Sequence, residues 1–125
     1  MRFPKAEALL LAAALVAAPC AWSAEVRLLV QRSPLAGFRY HEAPRLFEAL
    51  VPGQPLELVR EPGNPHDFNA VRVDWRGHKL GYVPRAQNGA IAWAMDRGET
   101  LDARIVQRSP HPNPRRRIEF EVYVK

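Results

Sequence analysis

The chain has 125 residues, 47% of them hydrophobic and 25% charged, and 18 Lys and Arg face 13 Asp and Glu for a net charge of +5. That balance is too apolar for a disordered chain, and the length suits one small domain with a modest core. The single cysteine excludes an intramolecular disulfide framework and a cysteine-based zinc site.

Residues 1–24 read as a secretory leader rather than as part of the fold. Arg2 and Lys5 precede an uncharged run of Ala, Leu and Val from Ala8 to Ala18. Pro19 ends the run, and Ala21, Ser23 and Ala24 supply the small residues of a cleavage site. The run is too short to cross a hydrocarbon core, which takes roughly 20 residues. Cleavage after Ser23 puts Ala21 at the −3 position, whereas cleavage after Ala24 would put bulky Trp22 there. Pro19 disfavours Cys20 as a lipid-bearing cysteine. The expectation is a secreted or periplasmic protein whose mature part, residues 25–125, has no membrane span. It also has no cysteine, and its sixteen basic and twelve acidic residues leave a net charge of +4.

The mature region reads mostly as strands. Val26, Leu28 and Val30 alternate with Arg27 and Gln31, the period of a half-buried strand. A weak helical stretch follows from Ala43 to Leu50. Leu56 and Leu58 then alternate with Glu57. Val71, Val73 and Trp75 share a face opposite Arg72 and Asp74. Arg76–Gly77 reads as a turn, and Leu80 and Tyr82 continue the alternation, so 70–83 is a predicted hairpin. Asn88 to Arg97 reads as a helix, with Asn88 as its N-cap, Ile91, Ala94 and Met95 on one face and Gly98 at C′. Leu101, Ala103 and Ile105 form the next face, and Ile118, Phe120, Val122 and Val124 the last. About six strands with one or two short helices predict a mainly β fold, a small closed or partly closed barrel.

The densest signal is the run from Leu58 to Val73 followed by Gly81–Tyr82–Val83–Pro84–Arg85. Asn64, Asp67 and Asn69 carry short side chains that bond nearby backbone amides, and Pro62 and Pro65 stiffen the same loop. A rigid polar connection between two strands follows. Gly81 inside a strand pattern points to a bulge or to close approach of another backbone.

These residues resemble the HIRAN domain. The resemblance rests on Arg–Glu–Pro–x–Asn–Pro–x–Asp–x–Asn–Ala–Val, on Gly–Tyr–Val–Pro–Arg, and on the helix ending in Asp96–x–Gly98. Gly37–Phe38–Arg39–Tyr40 fits the family's first aromatic–basic segment, and the match runs from about Val26 to Ile105. It implies an OB-like β-barrel and, from members found beside DNA-remodelling ATPase domains, a pocket for the 3′ end of single-stranded DNA. Carried over by position, Arg39 and Tyr40 would hold a phosphate and stack on a base. Asn64 and Asp67 would form the polar loop, with the aspartate on the terminal 3′-hydroxyl. His66 would stack on a base, and Tyr82 and Arg85 would contact the terminal nucleotide and its phosphate. Two departures weaken the stacking: His41 stands where a second aromatic is usual, and His66 replaces a tyrosine.

The same residues also have plainer readings. Asn64, Asp67 and Asn69 can serve simply to fix the loop, Tyr40 and Tyr82 can be ordinary barrel residues, and Arg115–Arg116–Arg117 reads as a solvated basic tip, with phosphate or lipid headgroup contact as the alternative. His41, His66, His78 and His111 lack metal-site spacing, and no nucleotide-binding or nucleophile motif is present. No cofactor, metal or catalysis is expected, since hydrolase activity associated with the family belongs to ATPase domains outside this sequence. The expected ligand is a single-stranded DNA end or another polyanion. The alternative is a non-catalytic envelope module that binds a protein partner or other anionic ligand.

Overall fold

A computed structural model describes residues 28–125, so the leader and its cleavage site, Cys20 and the first residues of the opening strand lie outside the described residues. Six strands follow in chain order: β1 (Leu28–Pro34), β2 (Pro55–Arg60), β3 (Val71–Trp75), β4 (His78–Tyr82), β5 (Leu101–Arg108) and β6 (Ile118–Val124). Two helices interrupt them, α1 (Ala43–Leu46), which runs on into a 3₁₀ turn at Phe47–Ala49, and α2 (Gly89–Asp96). Among the described residues no helix is long and apolar enough to cross a membrane.

The strands form one antiparallel sheet in the order β1-β6-β5-β2-β3-β4. Its two edges meet at a single point. The Ala36 N–H donates to the Tyr82 carbonyl and the Tyr82 N–H to the Ala36 carbonyl, each at 2.9 Å. The mainly β, OB-like reading therefore holds, with the barrel joined at that point by one bridge rather than by a full ladder. Gly81 makes the bridge possible: a Cβ there would lie 2.2 Å from the Ala36 carbonyl oxygen. Both meanings given to this glycine apply, because the β3–β4 register also shifts beside it.

Where alternation is uninterrupted, the face it predicts is the buried one. Val71, Val73, Ile105, Phe120 and Val122 are all fully buried, and with Leu80, Ile91 and Ile118 they form the centre of the core. Bulges overturn two other faces. Leu29 pairs with Tyr123 but Gln31 with Val122, so Val30 is an extra residue. Val30 is consequently exposed, at 38%, Leu28 is 68% exposed although it pairs with Val124, and Ser33 and Leu35 point inward. In β4, Leu80 and Gly81 together oppose Val73, so Leu80 is buried while Tyr82 lies across from Arg72 on the outer face. Asp74 was also expected outside, yet it is buried under a two-pronged ion pair with Arg72, at 2.9 and 3.0 Å.

The turn Arg76–Gly77 has positive φ at both residues, the mirror-image geometry that suits the strand twist. Helix α2 buries Ile91 and Ala92, with Met95 packed against the core, so Ala92 rather than Ala94 completes its inner face. Its C-terminus is a Schellman motif: the Gly98 N–H bonds the Met95 carbonyl and the Glu99 N–H bonds the Ala94 carbonyl. Asn88 precedes the helix but does not cap it with its side chain, which is used elsewhere.

Candidate functional site

The loop from Glu61 to Ala70 joins β2 to β3 and is held by its own side chains. Asn64 Oδ1 accepts from the His66 N–H at 2.9 Å, and Asp67 Oδ1 accepts from the Asn69 N–H at 3.0 Å. The loop closes at its base, where the Ala70 carbonyl accepts from the Glu61 N–H and from the Arg60 guanidinium. The loop-fixing role of these residues is therefore real, and it leaves their remaining acceptor sites aimed by a rigid backbone.

Glu61 anchors the loop to the sheet. Its carboxylate accepts from the Tyr82 hydroxyl at 2.8 Å, from Asn64 Nδ2 at 3.1 Å and from Arg72 at 3.0 Å. Burial pushes its pKa up, but hydrogen bonds from Tyr82, Asn64 and Arg72 and the charge of Lys79 outweigh that and hold it below the usual carboxylate range. Glu61 is thus ionised at neutral pH, and it fixes the Tyr82 ring through its hydroxyl. One side of that ring carries the Lys79 ammonium, 4.8 Å from the centroid, and the His41 ring approaches edge-on at 5.8 Å. Burial lowers the His41 pKa and Lys79 adds to the effect against the opposing charge of Glu61, so the imidazole is neutral at pH 7.

On the other side of the loop, Asp67 Oδ2 accepts from Asn88 Nδ2 at 2.7 Å, and Arg85 Nε lies 3.9 Å away. The Arg85 side chain is 70% exposed, so this loose pair leaves most of its donors to solvent.

Five of the seven residues picked from the sequence, Asn64, His66, Asp67, Tyr82 and Arg85, line one open cleft of about 470 Å³. Arg39 and Tyr40 are not among them. The 3₁₀ turn Phe38–Tyr40 buries Phe38 and carries the next two side chains outward, into a smaller cleft of about 200 Å³ shared with Asn113 and Arg115. There the Arg39 guanidinium lies 5.6 Å from the Tyr40 ring centroid. A third cleft links the two, sharing Ala36 and Arg85 with the first and Gly37 and Arg115 with the second.

Sequence reasoning missed Lys79 altogether. Strict alternation would put residues 79 and 82 on opposite faces, and only the bulge at Leu80 brings them together. The position of Asn88 predicts a helix cap, and nothing in the sequence ties it to Asp67. His41 stood out only as a departure from the family pattern, although it lines the main cleft. Among the described residues no group of three or more His, Cys, Asp or Glu is placed to hold a metal ion.

The HIRAN domain family model matches residues 28–125. The crystal structure of a Lactobacillus plantarum protein, solved as a structural genomics target, is 27% identical with a TM-score of 0.68, covering 79% of this chain and 95% of that one. The HIRAN domain of human HLTF superposes with a TM-score of 0.61 over 78% of each chain, and at 22% identity it shows likeness of fold. Helicase-like transcription factors of Mus musculus and Oryctolagus cuniculus are each 32% identical over 66 residues, 52% of this chain. The match spans only 6% of the length of those relatives. By the family match over residues 28–125, the chain belongs to the HIRAN domain family.

Proposed function

We propose that this domain is a nucleic-acid-binding module that receives the 3′ end of a single strand. The observation that carries the reading is the content of the main cleft: two cations, a partly satisfied carboxylate and three ring systems within one set of walls. Arg85 and Lys79 supply the attraction for phosphate, which dominates nucleic-acid affinity. The rings of Tyr82, His66 and His41 offer faces and edges to a base without reading its sequence. Each carboxylate oxygen has about two acceptor positions. On Asp67 one position of each is filled from within the protein. The remaining positions suit a sugar hydroxyl, whereas a terminal phosphate there would meet a like charge. Binding without chemistry is the function proposed, and Arg39 and Tyr40 serve a neighbouring nucleotide rather than the terminal one.

Fluorescence anisotropy with labelled oligo-dT carrying a free 3′-hydroxyl tests this. The domain is expected to bind with a salt-dependent affinity. Arg85→Ala should weaken binding by roughly tenfold or more, the worth of one charge-assisted hydrogen bond. Absence of binding to any strand at low salt overturns the proposal.

The leader pattern over residues 1–24 adds a proposed address, outside the cytoplasm. Fractionation of cells making the full chain should find a shortened protein in the envelope or medium. Retention of the uncut chain in the cytoplasm overturns this part.

A further inference from the structure

We propose that the loop between β5 and β6 is a second phosphate-binding element, in which Arg115 and Arg116 guide the strand away from the end-binding cleft; this rests on the nucleic-acid reading above. The three consecutive arginines are not one solvated tip, because they split by role. Arg117 is structural: its Nε donates to the His111 carbonyl at 2.7 Å, a second nitrogen donates to the Pro112 carbonyl at 3.3 Å, and the guanidinium lies 5.3 Å from the Phe38 ring centroid. Asn113 adds two further ties, donating its N–H to His111 Nδ1 at 2.9 Å and accepting from the Arg115 N–H at 3.0 Å. The Ser109 N–H closes the loop on the Arg117 carbonyl at 2.8 Å. A short 3₁₀ turn, Pro114–Arg116, then directs the first two arginines outward.

Arg115 and Arg116 are both exposed, and neither has a carboxylate within 4.0 Å among the described residues. A held backbone that presents two unpaired guanidinium groups loses little freedom when it meets an anion. Their position gives the anion its shape. Arg115 lines three clefts at once: the link to Arg85, the cleft of Arg39 and Tyr40, and a further one of about 370 Å³ shared with Arg116, Gln107 and Ser109. The shared residues make a continuous cationic path leading from the end-binding cleft through Arg85 to Arg115. From there it continues towards either Arg39 or Arg116. The carboxylate in the last cleft, Glu119, is already paired with Arg32 at 2.8 Å and so does not close the path to phosphate. A chain of phosphates fits such a path better than a single anion does.

The test compares the full chain with its Arg115→Ala/Arg116→Ala variant on 3′-hydroxyl oligo-dT of increasing length, and on vesicles containing phosphatidylglycerol. Both side chains are exposed and outside the loop's hydrogen bonds, so the variant should melt with the wild type. Wild-type affinity should rise with strand length beyond the dinucleotide, and the variant should lose that rise. Its slope of log affinity against log salt on the longer strands should fall by about 1.4, at about 0.7 for each of two lost phosphates. The same length dependence and salt slope in both proteins overturns the inference while leaving end binding intact. Loss of vesicle binding alone assigns the loop to a lipid headgroup and also overturns it. If the wild type binds no strand of any length, end binding itself fails and the inference with it.

Discussion

Replacing Gly81 with alanine should lower the stability of the domain by about 3 kcal/mol, at the upper end of what overpacking a well-filled site costs. The added Cβ would stand 2.2 Å from the Ala36 carbonyl oxygen and 3.1 Å from a Leu35 methyl. The first is backbone and the second belongs to a side chain only 1% exposed, so neither can swing aside. Relief requires β4 and the segment after β1 to part, which breaks both hydrogen bonds of the Ala36–Tyr82 bridge. For a domain of about 100 residues, each kcal/mol shifts the melting temperature by about 4–8 °C, so a drop of roughly 12–24 °C is expected. Gly63 is the control: it lies in the same motif region, has no atom near its would-be Cβ and should accept alanine with little change. A melting curve for Gly81→Ala within a few degrees of wild type would mean that the bridge is not what joins the sheet edges. The variant should also bind poorly, since the bridge sets Tyr82 and Lys79 against the loop.

The same glycine marks where the fold was legible in the sequence and where it was not. Side-chain period and short-range hydrogen bonding are local properties, so β2, β3, β5 and β6, the Gly98 terminus and the Asx chemistry of the loop could all be read in advance. A bulge is set by what the neighbouring strand can accommodate. Val30 therefore gives no warning that the face changes there, and in β4 only Gly81, beside Leu80, points to a bulge. The site divides in the same way. Asn64 and Asp67 announce themselves by residue type and spacing. The Asp67–Asn88 bond spans 21 positions, and the Lys79–Tyr82 contact depends on the bulge. Arg39 and Tyr40 line a neighbouring cleft rather than the one that holds the other five, because a 3₁₀ turn carries them there. The arginine triplet divides for a related reason: one turn of backbone ties Arg117 to the loop carbonyls and leaves Arg115 and Arg116 exposed.

Asp67 offers the sharpest test of end recognition, because two substitutions separate its structural role from its proposed ligand role. Asn88 is 2% exposed and donates its amide to Asp67 at 2.7 Å. Asp67→Ala removes that acceptor and should cost about 1–3 kcal/mol for a buried donor left without a partner. Asp67→Asn keeps the shape: its oxygen can still accept from the Asn69 N–H, and a flipped Asn88 amide can accept from its new donor. Its melting temperature should therefore stay near that of the wild type. What Asp67→Asn loses is the charge. Under the proposed end recognition, a 3′-hydroxyl would donate to the wild-type carboxylate, whereas a 3′-phosphate would be repelled by it. The wild type should consequently prefer the hydroxyl strand by roughly tenfold or more, on the scale of a hydrogen bond to an ionised group. In Asp67→Asn that ratio should fall towards one, chiefly because the phosphorylated strand gains affinity. Paired titrations of the two strands against both proteins measure it. Equal affinity of the wild type for both strands, or a preference undiminished in Asp67→Asn, would show that Asp67 only fixes the loop and that the cleft binds phosphate without sensing the end.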